Sequence, residues 1–204
     1  MEKSKSIPQN PQVQKNSKMN GNSIREFVED IDYDVISGLQ KLRTKFGNYF
    51  WKSISFIGLP FIWAAIGIIF SFYDLYHVGL VILFASLSPF AVLFPIQKAI
   101  KRRRPYDKHK ALKPLTKETH YSFPSGHAYY ITVNGMALVF CYGGFYSFLL
   151  MLGLAVMVGI SRIYLGVHYL TDVSASFFLG LFVAYIISLC FPLILMLHEL
   201  FILI

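Results

Sequence analysis

Two neighbouring stretches without charged side chains, SISFIGLPFIWAAIGIIFSFY at 53–73 and LYHVGLVILFASLSPFAVLFPIQ at 75–97, decide the fold. They are 21 and 23 residues long. Because about 20 apolar residues in a helix cross the hydrocarbon core of a bilayer, each stretch is long enough for one transmembrane helix. Asp74 separates the two, so the sequence predicts a tight turn between them.

Two more uncharged stretches follow, 34 residues at 128–161 and 25 residues at 173–197. The first is too long for one span, and Gly143 and Gly144 in its middle are typical of a turn, so it predicts two helices. The count is five transmembrane helices, with a sixth formed by a reversal near Pro192 as the alternative. Only 15% of the residues are charged and 55% are hydrophobic, whereas soluble domains hold about 25% charged residues. The sequence predicts an all-α integral membrane protein and excludes a disordered chain.

The part of the chain before these spans is polar. Residues 1–22 are rich in Lys, Ser, Asn, Gln and Pro, and we predict a disordered tail there because they offer little apolar surface to bury. We predict an amphipathic helix over residues 23–52. Ser23 and Glu26 have the spacing of a capping box, and apolar residues then recur at steps of three and four. This helix either packs on the rest of the protein or lies in the membrane interface. The transmembrane domain would then be 53–204.

The positive charges are placed unevenly along a chain whose net charge is +8. Nine Lys and Arg residues precede residue 53, nine lie between 98 and 117, and Arg162 completes the total of 19. With a turn at 143–144, all of them fall on one membrane face, which the positive-inside rule predicts to be cytoplasmic. Basic residues needed for chemistry count in the same tally, so the extracytoplasmic face is the alternative.

Three polar clusters interrupt the apolar chain: KAIKRRRP at 98–105, YSFPSGH at 121–127 and SRIYLGVHYLTD at 161–172. Taken alone, the first is explained by topology and by attraction to lipid headgroups. In the second, Pro, Ser and Gly at a helix start leave backbone N–H groups free, an arrangement that suits phosphate. His127 at its edge is placed to give a proton to a leaving oxygen.

The third cluster combines an imidazole with a carboxylate. His168 and Asp172 are four residues apart and therefore share one face of a helix. A carboxylate that orients one ring nitrogen leaves the other as a directed nucleophile or base. Arg162 adds a planar fork for phosphate oxygens.

In their order along the chain, the clusters resemble the type 2 phosphatidic acid phosphatase (PAP2) family of membrane phosphatases. The family pattern is Lys-x6-Arg-Pro, then Pro-Ser-Gly-His, then Ser-Arg-x5-His-x3-Asp. Arg104 with Pro105, the segment 124–127 and the segment 161–172 match this pattern in order and spacing. The resemblance implies that the spans form a PAP2-type helical bundle.

The sequence departs from the family pattern at one position, because the family lysine falls at Gln97. Lys98 misses that position by one residue. On a continuing helix, Gln97, Lys101 and Arg104 would share a face, since steps of four and three return to the same side. Lys101 is therefore the candidate substitute, and a neutral hydrogen bond from Gln97 is the alternative.

The resemblance also implies roles for the site residues. His168 would attack phosphorus and form a phosphohistidine, Asp172 would orient His168, and His127 would protonate the leaving oxygen. The groups implied to hold the phosphoryl oxygens are Arg104, Arg162, Ser125, the Gly126 N–H, and Lys101 or Lys98. The family uses no metal or other cofactor.

The implied partners are a lipid substrate and the bilayer, without nucleic acid. The runs at 102–105 and 121–123 look most like the polyisoprenoid (presqualene-type) diphosphate phosphatases, so a polyprenyl diphosphate is the favoured substrate. Phosphatidate and phosphatidylglycerol phosphate are the alternatives. Two non-hydrolytic alternatives are a protein that only binds anionic lipid and a transporter of phosphorylated lipid. Most relatives act on the outer or lumenal face, in contrast to the cytoplasmic face that the charges favour.

Overall fold

In the computed structural model, the described residues are 21–73 and 75–202, and their regular structure is entirely helical. In chain order the helices are α1 Gly21–Lys41, α2 Lys45–Phe56, α3 Pro60–Ser71, α4 Tyr76–Ala91, α5 Leu93–Ile100, α6 Pro105–Lys108, α7 Gly126–Tyr142, α8 Phe145–Tyr164 and α9 Leu170–Ile202. The predicted all-α class is confirmed. The predicted disordered tail lies outside the described residues, apart from 21 and 22, which belong to α1.

The amphipathic segment predicted as one helix over 23–52 is two helices, α1 and α2, separated by residues 42–44. Thr44 caps α2, because its Oγ1 accepts a hydrogen bond from the Gly47 N–H at 3.0 Å. Arg43 in the break donates from Nε and Nη2 to the Tyr164 carbonyl oxygen, at 3.1 and 2.6 Å. The single-helix prediction is wrong, and its boundary at residue 53 falls inside α2.

Helix α1 packs on the bundle with only part of its apolar surface. Ile36 is fully buried against Leu112, Ile163 and Tyr169. In the first turns, by contrast, Ile24 and Phe27 are 65% and 64% exposed. Packing against the protein therefore accounts for one side of α1, and its placement in the membrane interface stays a prediction.

Three segments of the described chain are long and apolar enough to cross a membrane: Tyr76–Lys108, Phe145–Tyr164 and Leu170–Leu193. Helices α2 and α3 add a fourth if this pair, bent by 46°, is one span. Helix α7, the predicted third span, has 17 residues. The chain thus has several membrane-spanning helices, and the count of five stays a prediction.

Of the three predicted changes of direction, the turn at Asp74 lies outside the described residues, and the other two differ in outcome. Helix α7 ends at Gly143 and α8 begins after Gly144, so the predicted turn is confirmed. Helix α9 runs on through Pro192 without a break. The described residues 170–202 therefore contain no reversal near Pro192, and the six-span alternative that required one is wrong.

Helix α7 is the centre of the bundle. Its residues 128–137 are all buried, and it contacts α4, α8 and α9. Gly180 permits the close approach of α9, because a Cβ added there would lie 2.9 Å from the Cβ of Thr132. The backbone N–H of Ser125, just before α7, donates to the Asp172 carbonyl oxygen at 3.4 Å. The start of α7 and the start of α9 are thereby held side by side.

Candidate active site

The three polar clusters meet around one cavity of about 700 Å³. Its polar and ionisable lining includes Lys52, Gln97, Arg104, Lys117, Glu118, His127, Arg162 and His168. Its apolar lining includes Phe56, Leu59, Leu93 and Phe94. The cavity thus combines cationic and imidazole groups with an apolar wall formed by α2, α5 and the break before α3.

Arg104, which precedes the short helix α6, is held by backbone carbonyl groups. Its side chain is only 4% exposed. Nε donates to the His120 carbonyl oxygen at 2.7 Å and Nη1 to the Val167 carbonyl oxygen at 3.0 Å. These bonds direct Nη1 to a point 3.3 Å from Nε2 of His168.

Arg162 approaches the same point from the last turn of α8. It is 2% exposed, and Nη1 donates to Ser55 Oγ at 2.5 Å. Nη2 is paired with the Glu118 carboxylate. Nε is buried and makes no hydrogen bond to any group in the described part of the chain, so it keeps a free donor beside the cavity.

Glu118 places a carboxylate between these groups. Its Oε2 lies 2.9 Å from Nη1 of Arg104 and 3.6 Å from Nε2 of His168, while Oε1 pairs with Arg162. Sequence reasoning assigned no role to this residue. The available signal was that only two carboxylates, Asp107 and Glu118, lie in the loop between the first two clusters.

The ring of His168 is fully buried and oriented by a backbone group. Nδ1 lies 2.7 Å from the Ser122 carbonyl oxygen, which fixes a proton on Nδ1 and leaves Nε2 to face Arg104 and Glu118. The Asp172 carboxylate is 3.7 Å from Nδ1, beyond hydrogen-bond distance. The predicted direct bond from Asp172 to the ring is therefore not formed; Ser122 stands between them.

The environment of His168 keeps the imidazole neutral. Burial is the main reason that its pKa is lowered from 6.5 to about 4, with the guanidinium groups of Arg104 and Arg162 lowering it and Asp172 opposing them. Nε2 is consequently unprotonated at neutral pH and carries a lone pair towards the cavity.

Asp172, at the start of α9, is fully buried and holds the loop that orients His168. Its Oδ2 accepts from Ser122 Oγ at 2.5 Å and from the Tyr169 N–H at 2.9 Å. Its Oδ1 accepts from Nη1 of Arg102 at 2.5 Å. The carboxylate thus acts on the imidazole through Ser122.

The second cluster forms the start of α7, as the sequence predicted. Gly126 is the first residue of the helix, and both Gly126 and His127 line the cavity that His168 lines. Ser125 precedes the helix and is fully buried, and its Oγ has no hydrogen-bond partner among the residues described. Ser125 is not part of the cavity lining.

The two predicted lysines lie outside this cavity. Helix α5 ends at Ile100, and Lys101 has a left-handed backbone with φ of 52°. The helical face expected to carry Gln97, Lys101 and Arg104 therefore does not exist, and Lys101 lines a separate groove. Lys98 is exposed. Gln97 is buried in the cavity wall and donates from Nε2 to the Pro124 carbonyl oxygen at 2.9 Å.

A family comparison agrees with the motifs that built this site. The model of the PAP2 superfamily matches residues 74–195. The chain belongs to the PAP2 superfamily. The resemblance to the PAP2 family is confirmed, and the matched segment contains every residue that the sequence analysis assigned to the candidate site.

Curated PAP2 relatives match over part of their length. Phosphatidylglycerophosphatase B of Bacillus subtilis (strain 168) is 35% identical over 92 residues, which are 37% of this chain and 41% of that protein. Undecaprenyl-diphosphatase of Sulfolobus acidocaldarius is 36% identical over 72 residues, 34% of each chain. The matches therefore span less than half the length of these relatives.

Solved structures match over most of the chain. A transmembrane PAP2-type phosphatidylglycerolphosphate phosphatase from Bacillus subtilis has a TM-score of 0.68 and 26% identity, covering 83% of this chain and 87% of that one. Aquifex aeolicus LpxE has a TM-score of 0.65 and 22% identity, covering 78% and 94%. The helical bundle described above is the PAP2 membrane phosphatase fold.

Proposed function

We propose that this protein is an integral membrane lipid phosphatase that hydrolyses phosphate esters or diphosphates of lipids through a phosphohistidine. One observation carries the proposal: the buried guanidinium groups of Arg104 and Arg162 both pair with a single anionic group, the Glu118 carboxylate, which lies 3.6 Å from Nε2 of His168. A buried site with that donor set is built for an anion. A phosphoryl group offers the same negative charge and more acceptor oxygens.

In the proposed complex the phosphoryl group takes the place of the Glu118 carboxylate. Arg104 and Arg162 then hold its oxygens, with the free Nε of Arg162 as an additional donor. The Gly126 N–H at the start of α7 adds a backbone donor and the positive end of the helix dipole. Ser125 is proposed to donate after a change of its side-chain rotamer. Lys98 and Lys101 have no part in this arrangement.

The reaction has two steps. In the first, the lone pair of His168 Nε2 attacks phosphorus, the N–P bond forms, and the P–O bond to the leaving group breaks while His127 donates a proton to the leaving oxygen. In the second, His127 takes a proton from water, the oxygen of that water attacks phosphorus, and the N–P bond breaks. In both steps the Nδ1–H of His168 donates to the Ser122 carbonyl oxygen. Asp172 holds Ser122 in place, so the ring keeps one tautomer.

Polyprenyl diphosphate is the favoured substrate. The cavity wall of Phe56, Leu59 and Phe94 offers apolar contacts to a hydrocarbon chain. Lys52 and Lys117 also line the cavity, and they supply positive charge for a second phosphoryl group. One relative is named as an undecaprenyl-diphosphatase, which supports a polyprenyl diphosphate as the substrate. Phosphatidylglycerol phosphate is the second candidate, because a structure with the same fold and 26% identity is named for that substrate.

The direct test is phosphate release from farnesyl diphosphate, phosphatidate and phosphatidylglycerol phosphate by the purified protein in detergent. We expect release that EDTA does not reduce and that His168→Ala abolishes. Arg103→Gln, an exposed neighbour of the site arginines, is the matched control. Release by His168→Ala at the parent rate would exclude the phosphohistidine. Binding of these lipids without release would favour the anionic-lipid-binding alternative, and movement across vesicles without release would favour the transporter.

The active site is proposed to face the cytoplasm, as the positive charges favour. A single cysteine at Lys110, an exposed loop position, tests this in a background where Cys141 and Cys190 are replaced. We expect labelling by a membrane-impermeant maleimide only after the cells are opened. Labelling of intact cells would assign the site to the extracytoplasmic face.

A further inference from the structure

A carboxylate of the N-terminal helix reaches into the network that holds the active site. Asp32 lies on α1 and is fully buried. Its Oδ1 accepts from the Thr171 N–H at 3.0 Å, and its Oδ2 accepts from Thr171 Oγ1 at 2.6 Å and from Nη2 of Arg102 at 2.8 Å. Asp32 is thereby tied to the residue next to Asp172, although 139 positions separate them in sequence.

Arg102 joins the two buried carboxylates. Nη2 donates to Asp32, while Nη1 donates to Asp172 Oδ1 at 2.5 Å and to Thr171 Oγ1 at 2.7 Å. Its guanidinium carbon stands 4.1 Å from the centre of the Tyr169 ring, a cation–π distance that fixes its plane. Arg102 also accepts a hydrogen bond at its carbonyl oxygen from the Ser122 N–H at 2.9 Å.

These contacts converge on Ser122, the residue that orients His168. The Ser122 carbonyl accepts from His168 Nδ1, its N–H is bonded to Arg102, and its Oγ is bonded to Asp172. Asp32 and Asp172 hold the guanidinium of Arg102 at its two Nη atoms, so Asp32 keeps Arg102 in place as the partner of Asp172 and of Ser122. Loss of either Asp32 or Arg102 would therefore loosen the Ser122 carbonyl that orients His168.

We infer that Asp32 and Arg102 are positioning residues for His168, and that α1 is therefore a functional part of the active site. They act through Asp172 and Ser122 and do not touch the substrate. The inference rests on the proposed function for its readout and goes beyond it, because α1 precedes the segment matched by the PAP2 model.

The test compares Asp32→Asn and Arg102→Gln with two controls that make the same charge change at exposed neighbouring positions, Asp30→Asn and Arg103→Gln. The full-length proteins are assayed for phosphate release from farnesyl diphosphate. We expect each network variant to lower kcat about tenfold, the effect of losing one hydrogen bond to a charged group, with KM changed less than about twofold. The controls should match the parent.

A double variant separates positioning from stability. If Asp32 and Arg102 both act through the orientation of the His168 ring, their effects on kcat are coupled and not additive. The double variant Asp32→Asn with Arg102→Gln should then have a kcat no more than about threefold below that of the less active single variant. Independent effects would multiply to about a hundredfold. All rates are measured again well below each variant's unfolding midpoint, and recovery of the parent kcat there would overturn the inference.

Failure of the inference and failure of the proposed function give different results. Parent-like kcat in Asp32→Asn, with His168→Ala inactive, would reject the positioning role and leave the phosphatase intact. Absence of phosphate release by the parent on every substrate would reject the function itself. In that case the variants are compared by 15N NMR of the His168 Nδ1–H, whose unchanged resonance in Asp32→Asn would also reject the positioning role.

Discussion

Glu118→Gln tests whether the Glu118 carboxylate competes with the phosphoryl group. In the free protein this carboxylate holds both arginines, so substrate must break those pairs before it binds. A hydrogen bond to a charged group contributes about 1.5–3 kcal/mol. The Glu118 side chain is 24% exposed, so we take the lower end, about 1.5 kcal/mol, which corresponds to about a tenfold change in affinity.

We therefore expect Glu118→Gln to lower KM for farnesyl diphosphate and the inhibition constant of inorganic phosphate, each by about tenfold, with kcat nearly unchanged. Initial rates in detergent, with phosphate as the competitive inhibitor, measure both. Asp107→Asn is the control, because it removes one exposed negative charge from the same loop. A KM and an inhibition constant equal to those of the parent, or higher, would refute the competition.

Stability gives a second readout of the same change. Arg104 and Arg162 remain buried when the carboxylate is lost, and removal of one partner of a buried ion pair costs up to about 3–5 kcal/mol. The amide keeps one acceptor, so the loss should be smaller than that. We expect a lower unfolding midpoint for Glu118→Gln without phosphate and a larger rise on adding phosphate than in the parent, because the anion binds only the folded state.

Three further predictions concern the cavity, pH and the backbone. Gln97→Lys puts a cation in the cavity wall. We expect it to lower the inhibition constant of inorganic phosphate about threefold, because one partly screened ion pair changes affinity by about that factor. Because the pKa of His168 is about 4 in the folded protein and 6.5 in the unfolded chain, the unfolded chain binds more protons between those values. The contribution of His168 to the free energy of unfolding should therefore fall as pH is lowered from about 6.5 to 4. Over this pH range the unfolding midpoint of the parent should fall more steeply than that of His168→Asn. Gly166 has φ of +78°, and Gly166→Ala should lower the free energy of unfolding by about 1–2 kcal/mol, measured by denaturant titration against Gly38→Ala.

The apolar helices were predictable because their signals are local. The apolar stretches, the Gly143–Gly144 turn and the helix start at Gly126 each depend on residues close in sequence. The family resemblance predicted that His127, Arg162 and His168 share one site, and the structure brings all three to one cavity. The family resemblance supplied the association of these clusters, which spacing alone leaves open.

The missed features depend on long-range contacts or on a single backbone angle. Lys101 does not lie on the predicted helical face, because the helix ends at Ile100, one residue before it. The helix propensity of lysine gives no sign of this end. Asp32 occupies the apolar stripe of α1, four residues after Val28 and four before Ile36. A carboxylate in such a stripe indicates a buried cationic partner, but nothing local identifies that partner as Arg102. Glu118 lies in an irregular loop, where sequence periodicity carries no information.

The bend between α2 and α3 adjoins the cavity, because Phe56 and Leu59 line it. Phe56, at the end of α2, lines the cavity and is also 58% exposed on the outer surface of the bundle. For the proposed lipid phosphatase, we therefore expect the lipid to enter the site laterally, without leaving its leaflet. Turnover should then follow the mole fraction of substrate in a micelle or vesicle, and diluting the whole suspension with buffer should leave the rate per enzyme unchanged.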